Sequence, residues 1–246
     1  YKNKITYLPD EKKTTVMDGH GGYMNGSRYY GEDLPINTWY MKRFAGLSED
    51  GLSLWYYTDK ETNEEKTTTT YSTGDFYLCG DPNPDLYGGF GTSITFHGFD
   101  LSTQFSYLVG GLTYDYGYAG MMGNPTATSV GNRWHKDVLK AWSPENPSST
   151  IPRWYFNDLN TTGSSDRFLI DGSYLNLQNI QVGYTLPDSW TSHLKIKNLR
   201  LYFVCDNVYY WSKRKGLDPR RSISGVGTSG KIAPFRTYSG GISLQF

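Results

Sequence analysis

The feature that most constrains this chain is a period of two. Its last stretch places Tyr238, Gly240, Ile242, Leu244 and Phe246 on one face and Thr237, Ser239, Gly241, Ser243 and Gln245 on the other. Side chains alternate across a β-strand, so such a run presents one apolar and one polar surface. Residues 90 to 96 repeat the pattern, with Phe90, Thr92, Ile94 and Phe96 opposite Gly91, Ser93 and Thr95. Residues 99 to 107 follow, with Phe99, Leu101, Thr103, Phe105 and Tyr107 opposite Asp100, Ser102, Gln104 and Ser106. Only His97 and Gly98 separate these two runs, which predicts a two-residue hairpin with Phe96 and Phe99 paired on one face. Further strands are expected over 173 to 186 and 197 to 211. In the first of these, Leu175 and Leu177 are out of phase with Ile180, Val182 and Tyr184. Either a bulge near Gln178 or Asn179 restores the phase, or those two leucines lie above a membrane.

Composition decides which two-faced sheet this is. Aromatic residues make up 16% of the chain, including 22 Tyr and 7 Trp, beside 28 Gly. A soluble core needs a thick apolar layer, whereas here one thin apolar face is backed by Ser, Thr, Gly and Asn. That suits a membrane barrel with lipid outside and water within. Eight strand residues at a barrel tilt rise roughly 20 Å, near the ~25 Å apolar band, with an aromatic at each margin. Connections alternate short (His97-Gly98; 187 to 196) and long (111 to 172; 212 to 235), as in outer-membrane barrels with short periplasmic turns and long external loops. About five strands cannot close a barrel, so others must come from a parent chain. The absence of an initiator Met and the opening in mid-pattern (YKNKITYL) also read as a fragment. The expected fold is all-β, an antiparallel transmembrane β-barrel. A secreted carbohydrate-binding β-sandwich is the rival from another class.

Chemistry-bearing motifs are sparse. Net charge is zero, from 24 basic and 24 acidic residues, which argues against nucleic acid. Cys79 and Cys205 lack metal-ligand spacing and read as unpaired. His20, His97, His135 and His193 have no nucleophile motif around them, so no catalytic residue, metal site or cofactor is expected. Asp81-Pro82-Asn83-Pro84-Asp85 lacks the glycine of a calcium loop and reads as a loop entering a strand. Residues 131 to 142 suggest a helix with Trp134, Val138 and Trp142 along one face. Its aromatics either pack within the loop or meet a partner or a sugar ring. Lys213-Arg214-Lys215 reads as a solvated rim cluster, or as a contact for lipopolysaccharide phosphates.

Several segments, in order, resemble one family. Asp81-Pro-Asn-Pro-Asp-Leu-Tyr-Gly-Gly-Phe90 leads into Gly98-Phe99-Asp100-Leu101-Ser102. Trp142-Ser-Pro-Glu-Asn146 and Ile151-Pro-Arg153 come next, followed by Ser173-Tyr-Leu-Asn-Leu-Gln-Asn-Ile180 and Gly183-Tyr-Thr-Leu-Pro187. Leu199-Arg-Leu-Tyr202, Asp206-Asn207, Gly216-Leu-Asp-Pro219 and Arg236-Thr-Tyr-Ser-Gly-Gly-Ile242 complete the set, which covers residues 75 to 246. The set resembles the C-terminal region of SusC-like TonB-dependent outer-membrane transporters (the SusC/RagA family).

That resemblance implies the C-terminal strands of a roughly 22-stranded TonB-dependent receptor barrel. Residues 1–8 would end a strand, 9–86 would form an extracellular loop region, and 87–246 would supply about five strands and their loops. The plug and TonB box would lie outside this chain. It implies import of nutrients, oligosaccharides by preference and oligopeptides as the alternative, captured with a SusD-like surface lipoprotein. Other implied partners are the rest of the transporter, TonB, membrane lipids and lipopolysaccharide. The location would be the bacterial outer membrane, with the C-terminus in the periplasm. Tyr238, Ile242, Leu244 and Phe246 resemble the signal read by the barrel-assembly machinery. Trp134, Trp142, Trp154 and Tyr155 are candidates for the vestibule, contacting the lid or the cargo.

Overall fold

The computed structural model describes residues 3–129, 131, 133–158, 163–191, 196–214, 218, 220, 224–225 and 234–246. Along the chain come β1 (Thr15–Met17), β2 (His20–Asn25), β3 (Arg28–Gly31), β4 (Thr38–Lys42), β5 (Phe44–Leu47), β6 (Ser53–Thr58), β7 (Glu65–Thr68) and β8 (Phe76–Leu78). Then follow β9 (Leu86–Phe96), β10 (Phe99–Val109), β11 (Leu112–Tyr114), α1 (Tyr116–Met121) and β12 (Leu169–Asp171). The last elements are β13 (Tyr174–Thr185), α2 (Asp188–Thr191), β14 (Asn198–Ser212) and β15 (Thr237–Gln245). The chain divides into two units. One comprises residues 1–83, 111–171 and 221–230, and the other 84–110, 172–220 and 231–246.

The second unit is a single antiparallel sheet in the order β15-β14-β13-β10-β9. Phe96 pairs with Phe99 across a turn whose central residues have positive φ, 45° at His97 and 86° at Gly98. Such turns match the right-handed twist of the flanking strands, so this hairpin is set by two residues. The phase problem in β13 is solved by a bulge. Gln104 pairs with Asn179 but Phe105 pairs with Leu177, leaving Gln178 as the extra residue. Toward β14 the irregularity differs: between the pairs Leu177–Tyr209 and Asn179–Asp206, Gln178 alone faces two residues, Asn207 and Val208, so the extra residue there is on β14. One inserted residue returns Leu175 and Leu177 to the face of Ile180, Val182 and Tyr184.

The first unit is built differently from what alternation led us to expect. Described residues 3–8 form no strand, where a strand end was expected over 1–8. Residues 9–86, expected as an extracellular loop region, contain regular strands. They carry a five-stranded sheet (β1-β2-β3-β4-β8) and a three-stranded one (β5-β6-β7). Trp39, Met41, Tyr114, Met122 and Phe168 form its core, with Leu112, Val138 and Ile151 packed against them. Trp39 is 0% exposed and donates its indole N–H to the Leu112 carbonyl at 3.1 Å.

The helix expected over 131 to 142 shrinks to one 3₁₀ segment, Lys136–Lys140. His135 caps it, accepting from the Asp137 N–H at 3.2 Å. Ala141 is already extended (ψ 156°), and the Trp142 N–H turns to the Ile151 carbonyl at 2.8 Å. Trp134 and Trp142 therefore lie outside the helix and share no helical face. Lys215, Gly216, Leu217, Pro219 and His193 lie outside the described residues.

Candidate functional site

The sheet β15-β14-β13-β10-β9 is two-faced throughout. One row runs Ile94–Leu101–Val182–Phe203 and another Phe90–Phe105–Leu177–Tyr209, each read across paired strands. Ile242 pairs with Leu201 and Leu244 with Leu199, which carries the same face onto β15. These side chains are not buried in a protein interior. Ile242 is 65% exposed, Leu244 49% and Phe96 69%. An apolar face this extensive on a lone soluble sheet would be a liability, whereas lipid satisfies it. Aromatics stud the face: Phe90 stacks on Phe105 (4.8 Å), Phe99 meets Tyr184 (4.4 Å), and Tyr209 meets Trp211 (4.8 Å). Tyr238 pairs opposite Cys205 and stacks on Phe203 (6.0 Å), beside that thiol, which is buried and free.

The opposite face is polar and internally paired. Arg200 grips Asp100 with both nitrogens of one edge, at 2.9 and 2.6 Å. Asn179 donates to Asp206 at 2.7 Å. Near the far end, Arg220 binds Asp218 at 2.7 Å and donates to the Asn176 side-chain oxygen at 2.6 Å. Arg220 is held further protonated by its hydrogen bond to Asp218. Charges on this face meet partners within hydrogen-bond reach, which suits a wet lining.

The first unit holds the loop aromatics. Trp134 and Trp154 are brought together edge to face at 5.2 Å, and the Trp154 indole N–H goes to the Gly123 carbonyl at 3.0 Å. Tyr155 next to them is 48% exposed, with Arg153 5.4 Å from its ring and bound to Asp158 at 2.7 Å. Trp142 is placed against Gly51 instead. A Cβ at Gly51 would lie 2.3 Å from its ring, and the glycine sits at φ 72°. Of the four loop aromatics, Tyr155 offers the freest surface.

Buried cations of the first unit escaped sequence reasoning. Arg28 stands 3.1 Å from the centre of the Trp39 ring and donates to the carbonyls of Asn37 (2.5 Å) and Ser224. Burial drops its pKa to about 10. Lys42, also buried, donates to the Tyr71 and Ser72 carbonyls and lies 4.4 Å from the Tyr71 ring. Burial likewise lowers its pKa. The signal available was local: each cation adjoins an aromatic run, Arg28-Tyr29-Tyr30 and Trp39-Tyr40-Met41-Lys42. The Cys79 thiol is free and pushed up to about 11 by burial, so it is a poor nucleophile at neutral pH. Among the described residues no cluster of three His, Cys, Asp or Glu could hold a metal ion.

No protein-family model matches the chain. It is 28% identical over 275 residues to TonB-dependent receptor P3 of Formosa agariphila, matching 100% of this chain and 26% of that protein. It is 27% identical over 180 residues to TonB-dependent receptor SusC of Bacteroides thetaiotaomicron, matching 72% of this chain and 17% of that protein. Among solved structures it resembles the RagAB peptide importer in the closed-closed state, with a TM-score of 0.76 and 25% identity over 91% of this chain and 25% of that one. The open-open state of the same importer gives a TM-score of 0.74 over 95% of this chain. The chain thus spans about a quarter or less of the curated relatives it matches. On sequence and fold together, the chain is similar to a segment of the SusC-like TonB-dependent receptors and shares the all-β fold of their outer-membrane barrel.

Proposed function

We propose that this segment forms part of the wall and external vestibule of an outer-membrane nutrient importer. One observation carries the reading: five paired strands keep a largely unburied apolar face, while the charges on the other face, Asp100, Arg200 and Asp206, are paired across β10, β13 and β14. Lipid takes the first face and the watery interior the second. In this reading the short His97-Gly98 turn and the end of β15 lie on the periplasmic side, and the loop region over residues 9–86 is extracellular. A SusD-like lipoprotein closes the vestibule, and TonB acts on a plug supplied by other parts of the parent protein. Trp134, Trp154 and Tyr155, with Trp142 bracing Gly51, shape the surface that meets lid or cargo. The work of the segment is passage and containment, not catalysis.

Oligosaccharide is the proposed cargo, since exposed aromatic rings such as Tyr155 suit the apolar C–H faces of sugars. A second reading, oligopeptide, is favoured by the likeness to the RagAB peptide importer. Deleting the parent gene and measuring growth and labelled uptake on an oligosaccharide and on an oligopeptide separates them. Loss of oligosaccharide uptake is expected. Loss on peptide alone transfers the assignment to the second reading, and unchanged uptake of both overturns the importer.

A further inference from the structure

The alternation that makes this sheet leaves its register open. Sliding a strand by one residue turns every side chain to the wrong face, but sliding it by two restores the pattern. Apolar patterning therefore fixes register only to within an even slip. For β9 and β10 the tight His97-Gly98 turn removes that freedom. No such turn joins β10 to β13, because residues 110 to 173 lie between them. The bulge at Gln178 belongs to β13 and travels with it.

We propose that Asp100, Gly183 and Arg200 form a register clamp on the polar face, selecting one even register for β10, β13 and β14. Asp100 is on β10 and Arg200 on β14, with β13 between them. Their two hydrogen bonds, at 2.9 and 2.6 Å, cross over the middle strand. Asp100 pairs directly with Gly183, while Arg200 pairs with Thr185 and reaches back diagonally. The crossing needs an empty place beneath it. A Cβ on Gly183 would lie 2.4 Å from Asp100 Oδ1 and 2.5 Å from Arg200 Nη2. Gly183 is the single glycine of β13. A two-residue slip of β13 puts Gln181 or Thr185 under the pair, and the bidentate grip is lost. A guanidinium edge meeting a carboxylate through two parallel hydrogen bonds is demanding in geometry, so it reads register more sharply than greasy contacts do.

The test uses the full-length transporter with cysteines at Ser102 and Gln181, which face each other in the observed register. A second double-cysteine variant pairs Ser102 with Asn179, which would face each other after a two-residue slip. With the clamp intact, only the first should cross-link. Asp100→Arg should lower the native cross-link about tenfold relative to the slipped one, as expected for losing charge-assisted bonds. Gly183→Ala should act in the same direction. The swap D100R/R200D, which keeps the pair, should restore the native cross-link. If Asp100→Arg does not reach the membrane, Asp100→Asn replaces it in the same comparison. Native cross-linking unchanged in Asp100→Arg (or Asp100→Asn) and Gly183→Ala overturns the clamp. So does a swap that cross-links no better than the single charge reversal, since position rather than pairing would then matter.

Discussion

Ile180 offers the sharpest test of which face meets lipid. It sits at the middle of β13, the central strand of the sheet, on the apolar side. About six residues separate it from either strand end, which at barrel tilt is about 14 Å, so it lies near the centre of the apolar band. Replacing it with arginine should cost about 2–4 kcal/mol, the range for a cation at the bilayer midplane on a lipid-facing position. Its neighbour Gln181 points the other way, between Ser102 and Val204. Gln181→Arg at nearly the same height should be close to neutral, because its charge enters the watery side. The two variants thus differ by one residue in sequence and by some 30- to 1000-fold in folding equilibrium, at tenfold per ~1.4 kcal/mol. Urea unfolding of the full-length protein in vesicles, with outer-membrane abundance beside it, reads the difference. Equal effects from both variants would refute the two-faced wall, and a larger effect from Gln181→Arg would invert it.

Gly51→Ala should destabilise the first unit by about 1–3 kcal/mol, the cost of a left-handed non-glycine residue, and should displace the Trp142 ring. Faster amide exchange at Arg153, whose N–H bonds the Gly51 carbonyl, would register it. Asp59 is held down to about 2 by its hydrogen bond to Lys66 and by the N–H groups of Glu61 and Thr62. An unfolded Asp titrates near ~3.9, so its support of the β6–β7 turn is complete above about pH 4 and lost as pH falls through about 2. Exchange of the Glu61 and Thr62 amides should therefore accelerate over that window, and Asp59→Asn should flatten the dependence. The assembly-signal reading of Tyr238, Ile242, Leu244 and Phe246 requires Phe246 to end the parent chain. Deleting it there should lower outer-membrane abundance, and unchanged abundance would count against that role.

What was legible in this sequence followed from a single physical rule. Long barrel strands meet lipid on one side, so their apolar residues recur every second position without interruption. β9, β10 and β15 can be drawn from that alone, and the phase break in β13 even points to its bulge at Gln178. The first unit obeys no such rule. Its strands are three to six residues long, too short for a period to show. β4 is buried at all five positions, including Thr38 and Lys42, so it has no polar side to alternate with. Its order comes from long-range contacts, such as Trp39 to the Leu112 carbonyl and Phe44 to the Asp166 carboxylate, which no local window contains.

The tryptophan spacing in residues 131 to 142 misled for a related reason. Repeats at four and eight residues fit a helix, but each ring had a stronger claim on it elsewhere: Trp134 on Trp154, and Trp142 on the bare backbone at Gly51. A five-residue 3₁₀ turn has few bonds to set against such packing. The sheet shows the same limit from the other side. Periodicity names the face of every residue in β13 and is silent on which neighbour each one meets. That choice falls to groups that occur once, such as a glycine without a side chain and a carboxylate and guanidinium able to meet above it. Chemistry that breaks the repeat is therefore where a barrel strand acquires its address.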